Sequence, residues 1–480
     1  MLQHDRLFIG GDWVAPAGTG TIEVISPHTE EPVGRVPDGT PADVDRAVAA
    51  ARWAFDHGPW PRMTMAERAA VVGRLADLYE ARQGEMADLI TSEMGSPITF
   101  SRMAQAPQPL GMLRYYAGLG ATYEVEDERP GLFGPVTVRR EPVGVVAAIV
   151  PWNVPQFVIM SKLAPALVAG CAVVVKPAPE TPLDSYLLAE MIIAAGVPEG
   201  VVNIVPAGRE TGEHLVSHPG VDKVAFTGST AAGRRIGAIC GERLKRCGLE
   251  LGGKSAAIVL DDCDLPSAMG FLSVACLMNN GQACVAQTRV LASRGRYDEV
   301  VSAFAEMVAA QRVGDPADPV TGIGPLVSAR QRDRVEGYLR AGVEEGAKPV
   351  VGGPGGLAGH SRGWYVSPTV FAGVSNDMRI AREEIFGPVL TVIPYDDEDD
   401  AVRIANDSDY GLSGTVWTSD TERGVDIARR VRAGTYGVNI MNTLDPCAPF
   451  GGFKASGLGR ELGPEGLASY LEYKSIARLG

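Results

Sequence analysis

The sequence predicts an α/β fold in which helices cover parallel sheets, with two such units in one chain. Short, mostly β-branched runs recur at 143–150 (VGVVAAIV), 172–175 (AVVV), 201–205 (VVNIV) and 221–226 (VDKVAF), and uninterrupted apolar runs suit strands buried on both faces. Segments of helical period separate them: Leu187, Leu188, Met191 and Ile192 lead to a stop at Gly196 and Pro198, so the repeating unit is strand, helix, parallel strand. After Gly252-Gly253 the alternation begins again, with AAIVL at 256–260, a helix to about 279, TRVLAS at 288–293 and a helix from 298.

The elements follow in chain order. Thr40-Pro41-Ala42-Asp43 supplies an N-cap, a proline in the first turn and an acid at the third position, and Val44, Val48, Ala51 and Phe55 then share one helical face. Thr64 and Glu67 open a second helix in the same way. The stretch 121–144 is too hydrophilic for a core element; it reads as two polar-alternating strands about a Pro/Gly turn at 130–135, a projecting hairpin. The glycine-rich segment 352–363 reads as a solvated surface loop.

Composition narrows the functional classes. At 480 residues the chain can bury a large core in two or three domains. With 58 acidic against 44 basic residues, a net charge of −14 and no Lys/Arg block, neither nucleic acid nor an anionic membrane is expected as a partner. The longest uncharged apolar stretch, 163–175, contains Pro165 and is too short to span a bilayer. The first residues, MLQHDRLFIGGDW, lack the apolar run of a signal peptide, so a cytoplasmic location is expected. Seven cysteines without a CxxC pair read as reduced thiols, and six histidines without HExxH give no reason to expect a metal.

Four places carry chemistry. Cys284, in Asn279-Asn280-Gly281-Gln282-Ala283-Cys284-Val285, follows a helix-like run where small neighbours leave its amide and thiol accessible; as a nucleophile it needs a base or a dipole to remove its proton. Glu250, between two leucines and before Gly252-Gly253, suits a desolvated general base, the alternative being a strand-end salt bridge to Lys254. Asn153, in Pro151-Trp152-Asn153-Val154-Pro155, follows a buried strand, where its amide can donate to an oxyanion or simply close a turn. Phe226-Thr227-Gly228-Ser229-Thr230-Ala231-Ala232-Gly233 runs from a strand into a helix and can set N-terminal amides against a pyrophosphate, though it is not GxGxxG. Lys176 offers a cation for ribose or phosphate at the same sheet edge, or is an exposed strand-end lysine.

Taken together, Pro-Trp-Asn at 151–153, Lys-Pro at 176–177, Phe-Thr-Gly-Ser at 226–229, Glu-Leu-Gly-Gly-Lys at 250–254, Gly-Gln-x-Cys at 281–284, Glu-Ile-Phe-Gly-Pro at 384–388 and Pro-Phe-Gly-Gly at 449–452 resemble the aldehyde dehydrogenase superfamily over essentially the whole chain. The resemblance implies a Rossmann-like cofactor domain (1–121 and 143–250), a second α/β catalytic domain with the nucleophilic Cys (251–453), and a small β oligomerisation hairpin (122–142 with 466–480) that joins a homodimer or homotetramer. It implies oxidation of an aldehyde to a carboxylic acid with NAD. On that resemblance Cys284 would form the thiohemiacetal and thioester, Asn153 and the Cys284 amide would hold the oxyanion, Glu250 would activate water, and Lys162 and Glu461 would relay the proton. Glu384 would hold the nicotinamide ribose and Phe386 would pack near the ring, with Trp152, Lys176, Glu180, Phe226, Thr227, Gly228, Ser229, Gly233, Leu251 and Gly252 around the rest of the cofactor.

The chain departs from the pattern at Pro179, where members that favour NAD often carry Glu; here Glu180 stands one residue later. The expectation of NAD over NADP therefore rests on Glu180 and the negative net charge, with Arg209 favouring NADP if it points inward. Val154, Val158, Ser161, Leu444 and Phe450 match tunnel positions and include no Lys or Arg, so a small apolar or aromatic aldehyde is expected. Cys284, Asn153 and Glu250 would also suffice for a thioester or ester hydrolase, in which the glycine turn and Glu384 have no role.

Overall fold

The structure, a computed structural model, describes residues 1–441 and 444–479. Its first sheet has eight strands in the order Gly457–Leu458, Arg246–Glu250, Lys223–Thr227, Val145–Ile149, Ala172–Lys176, Val202–Ile204, Leu7–Ile9 and Asp12–Val14. The five strands from Arg246–Glu250 to Val202–Ile204 run parallel, and the flanking strands are antiparallel. From Val145–Ile149 the chain proceeds first to one side and later returns to the other, and such a reversal leaves a crevice at the carboxyl ends of the strands. Register aligns those ends, with Ile149 opposite Lys176 and Thr227 opposite Glu250.

Alternation along the central strand explains the two layers. Val146 and Ala148 face one cluster with Ile159 and Leu163, while Val145, Ala147 and Ile149 face another with Val44, Val48 and Ala51. The helix Pro155–Ala169, buried along its whole length, covers the first face, and Pro41–His57 covers the second. Both expected N-terminal caps form, Thr40 with Asp43 and Thr64 with Glu67. Asp43 also accepts from Ala17 N at 2.9 Å, so a completely buried carboxylate is satisfied.

A second sheet runs Lys348–Val351, Thr369–Ala372, Val389–Tyr395, Arg289–Ser293, Ala256–Val259, Gly414–Trp417, Gly437–Val438, parallel except at its first edge. Glu126–Gly131 and Gly134–Pro142 pair as the expected hairpin, with the turn narrowed to Leu132 and Phe133, which are 96% and 84% exposed. The strand Leu471–Ala477 extends this small sheet along Gly134–Pro142. Residues 352–363 contain no helix or strand. An acidic run at 396–400 caps and opens the helix Glu398–Asn406, where the helix dipole favours negative charge. No helix among the described residues is long and apolar enough to cross a membrane.

The Thr40 cap is testable apart from any function. Thr40→Ala should lower the unfolding free energy by about 1 kcal/mol, read as a shift of denaturant midpoint at constant slope, whereas Thr40→Ser should stay near the unsubstituted protein.

Candidate active site

Loops at the carboxyl edge of the first sheet meet the segment that links two strands of the second, Ala256–Val259 and Arg289–Ser293. The helix Leu265–Leu277 gives way to Met278–Gly281, where Asn279 and Asn280 take φ of 55° and 62°, and Cys284 lies just beyond, half-buried. Asn is among the few residues that adopt the left-handed region cheaply. Asn280 is anchored there by donating to Gly95 O (2.9 Å) and Pro325 O (3.0 Å) and accepting from Gly324 N (2.6 Å).

Asn153 is buried and donates through Nδ2 to Gln282 O at 3.0 Å, two residues before the thiol. Its own carbonyl accepts from Asn279 Nδ2 (2.8 Å) and Gln105 Nε2 (3.3 Å), and Gln105 also donates to Asn279 Oδ1 (3.2 Å). Gln282 Oε1 takes Val327 N at 3.1 Å. The Cys284 loop is thus tied to the strand end by a ring of amides.

Glu250 ends its strand with 4% exposure, and its Oε2 has no hydrogen-bond partner. It forms no salt bridge with Lys254, which is itself buried near Glu384 and Glu383 and pushed down to about 7 chiefly by burial. Burial, then the charge of Glu461, raises the Glu250 carboxyl well above its usual range, against the opposing pull of Lys162 and Arg460. Lys162 Nζ, completely buried, donates to Glu461 Oε1 and to Thr227 Oγ1, both at 2.6 Å. Ser161 is not a bare tunnel wall, because its hydroxyl donates to Glu461 Oε2 at 2.6 Å.

The Cys284 thiol lies above the ordinary range of a cysteine. Burial, with Glu384 and Glu250 adding to it, pushes Cys284 up to about 12, despite backbone hydrogen bonds from Cys284 and Val285. A low-dielectric site with two nearby carboxyls disfavours a third negative charge.

The residues expected to hold a cofactor line the same edge. Glu384 Oε1 accepts from Gly253 N at 2.9 Å, and a Cβ at Gly252 would stand 2.7 Å from Glu384 Oε2. At Gly253 a Cβ would overlap the Cys284 carbonyl oxygen, so glycine permits this close approach. Phe386, at φ 65°, packs edge-on to Trp152 with centroids 5.4 Å apart. Ser229 caps the helix Thr230–Glu242, Phe226 and Gly228 precede it, and Gly233 lies where a Cβ would overlap Leu251 Cδ2. Lys176 is not an exposed strand end; it is buried, donates to Pro177 O and Ala207 O at 2.8 Å each, and is pushed down to about 8 mainly by burial, which the nearby charge of Glu180 opposes. Glu180 pairs with Arg330 at 3.5 Å, and Arg209 is exposed at the start of Arg209–Ser217.

Val158 and Phe450 are buried in the apolar cluster against which Val154, Leu444 and Cys284 pack. On metals, His214 and His218 stand four residues apart, a spacing the metal expectation leaves out. Both Nε2 atoms face Asp45 Oδ1, at 2.6 and 3.4 Å. Among the described residues no group of three or more His, Cys, Asp or Glu side chains could hold a metal ion.

The sequence model of the Aldehyde dehydrogenase family matches residues 13–476. The chain belongs to this family. Geranial dehydrogenase of Castellaniella defragrans is 52% identical over 481 residues, spanning 100% of both chains. Mycobacterium tuberculosis aldehyde dehydrogenase complexed with NAD+ superposes with a TM-score of 0.98 at 51% identity, covering 100% of this chain and 99% of that one. A mutant of aldehyde dehydrogenase C from Pseudomonas syringae, complexed with NAD+ and octanal, gives 0.95 at 43% identity, with 98% and 96% covered. This family member is an aldehyde-oxidising enzyme with a mixed α/β fold.

Gln105, Asn280 and the amide side chain of Gln282 were not singled out by sequence reasoning. Asn279-Asn280-Gly281 does carry a turn signal, since Asn and Gly tolerate positive φ. Gln105 carries none: it sits in the π-turn Ser101–Gln105, far from Cys284 in sequence.

Asn280→Gly should cost about 3 kcal/mol in unfolding free energy, because three buried hydrogen bonds are lost, and Asn280→Ala about 1 kcal/mol more for positive φ. Denaturant titration of the two variants checks both the sum and the difference.

Proposed function

We propose that this chain oxidises a small apolar or aromatic aldehyde to the carboxylic acid through a thioester on Cys284, with NAD as its cofactor. The observation that carries the reading is the buried Glu250 carboxyl, with one oxygen free of partners, at the same strand edge as the Cys284 loop and beside the Lys162–Glu461 pair. A base kept desolvated and unpaired suits proton removal from water.

The thiol of Cys284 gives its proton to solvent water as sulfur bonds to the carbonyl carbon, the carbonyl π pair moves to oxygen, and the oxyanion meets Asn153 Nδ2 and the Cys284 amide. Asn153 keeps a second amide hydrogen beyond the one given to Gln282 O. When bound, the dinucleotide supplies the acceptor for the hydride released from that carbon. Glu250 then takes a proton from water as its oxygen attacks the thioester, sulfur leaves as thiolate, and Lys162 and Glu461 lead the proton away.

The residues present fit the dinucleotide. The close approach of Gly252 to Glu384 leaves a narrow cradle, and the capped helix after Gly228-Ser229 presents amides at the crevice. Trp152, Phe226, Thr227, Gly233, Leu251 and Phe386 wall the site, and Lys176 retains one donor beyond its two carbonyls. Glu180, whose charge reaches Lys176, disfavours a 2′-phosphate, and the NAD+ complexes of the similar structures support NAD over NADP. The glycine turn and Glu384 have no use in a plain hydrolase.

Residues 1–121 and 143–250 act as the cofactor domain and 251–453 as the catalytic domain. Segments 122–142 and 466–480 join two or four copies, a role supported by the exposed Leu132, Phe133, Tyr473 and Ile476 on or beside the small sheet. A reducing cytoplasm would keep Cys284 a free thiol.

Cys284→Ala should abolish aldehyde-dependent NADH formation at 340 nm while NAD still binds. Glu250→Gln should retain the initial NADH burst but turn over slowly. The Glu250 carboxyl lies above its usual range, so its base form grows as pH rises, and steady turnover should rise with pH in the unsubstituted enzyme. That limb should disappear in Glu250→Gln, while loss of the burst would mean Glu250 takes the thiol proton.

Val154, Val158, Leu444 and Phe450 offer no cation to a substrate carboxylate. Hexanal and benzaldehyde should therefore give kcat/KM at least about tenfold above succinic semialdehyde, and NAD should exceed NADP at matched salt. A reversed order in either panel overturns that assignment.

A further inference from the structure

Cys240 and Cys247 take no part in the chemistry above. Cys240 is completely buried in the last turns of Thr230–Glu242, and Cys247 is half-buried on Arg246–Glu250. The chain between them doubles back tightly: Lys245 N donates to Cys240 O at 2.9 Å, and Leu244 takes φ of 53°. Both side chains belong to the same apolar face between helix and strand. The Cys240 and Cys247 thiols act on one another through their side chains and both are free, so no disulfide joins the two sulfurs.

Two lysines attend the pair. Lys245 acts on Cys240 and is held by Val216 O at 3.0 Å and by His218 O. Lys223 acts on Cys247 from the adjoining strand, where Val224 is the register partner of Cys247, and is held by Ser469 O at 2.7 Å. The hydrogen bond from Cys240, helped by Lys223, brings Cys247 down to about 7 against the effect of burial, whereas Cys284 is up at about 12. Thiolate is the form that reacts with oxidants, and Cys247 has both thiolate character and a path to solvent.

We propose that Cys240 and Cys247 are a reversible dithiol–disulfide site that hydroperoxides oxidise in preference to Cys284. The Cys247 thiolate attacks the peroxide oxygen, forming the sulfenic acid and releasing hydroxide, or alkoxide from an organic hydroperoxide. Cys240 sulfur then displaces the sulfenic oxygen, which leaves as water once protonated by the thiol hydrogen. The two thiols together give up two electrons and two protons, and the peroxide is reduced to water, with an alcohol from an organic hydroperoxide. A dithiol reductant reverses the bond by exchange. The disulfide ties the end of Thr230–Glu242 to the strand that ends in Glu250.

Arg243, Lys245 and Arg246 lie between the two cysteines, so trypsin separates them unless a disulfide holds the peptides together. The full chain is treated with graded hydrogen peroxide, alkylated with N-ethylmaleimide, digested without reductant and read by mass spectrometry. The linked peptides should reach half yield at a peroxide dose about tenfold below the one that half-converts Cys284 to oxidised forms, and dithiothreitol should release them. In Cys240→Ala, dimedone should trap a sulfenic acid on Cys247. Oxidation of Cys284 first, a linkage through the exposed Cys447 as first product, or absence of the linked peptides would each overturn the proposal. The unsubstituted protein carries the decisive measurement, so it stands even where a variant fails to fold.

Discussion

A buried ring of amides is the constraint on which the site depends. Gln105, Asn153, Asn279 and the Gln282 carbonyl come from a π-turn, a strand end and the loop before the thiol, and they bond one another out of contact with water. Each bond contributes modestly, about 1 kcal/mol, but leaving any of these polar groups unpaired costs more, so the ring favours one arrangement over its neighbours. The loop then has little freedom, and in the proposed chemistry a thiol in a fixed place needs no reorganisation when it reacts.

Charge is distributed against stability in the same region. Glu250 is buried without a salt bridge, Glu384 acts on the same thiol, and Lys162, whose charge reaches Glu250, is committed to Glu461 and Thr227. A fold selected for stability alone would replace these groups with apolar ones. Such an arrangement beside a high-lying thiol suits the chemistry proposed above, since a base already neutralised by a partner would not take a proton.

The C-terminal part of the chain closes the site from the far side. Leu251 N donates to Ser456 O and Ser456 Oγ to Gly252 O, Gly457–Leu458 pairs with the strand bearing Glu250, and Phe450 and Glu461 form a bridge of two 2.7 Å hydrogen bonds. Residues some two hundred positions apart therefore share one wall. The same crowding makes glycine necessary at Gly253, where any side chain would meet the Cys284 carbonyl.

Local physics by itself determined much of this protein. Thr40 with Asp43, and Thr64 with Glu67, cap helices through contacts three residues apart; β-branched runs form strands because they are buried on both faces; and the order of seven motifs marks the family. Tertiary structure alone decided the rest, because it depends on groups brought together from distant parts of the chain. It set the strand order that aligns Thr227 with Glu250, paired Leu471–Ala477 with the hairpin, brought Gln105 to Asn153, and buried Lys176, which from sequence could equally have been exposed. It also set the acidity of Cys284, since a thiol's acidity follows from desolvation and from the charges around it, and Glu384 stands one hundred residues away in the chain.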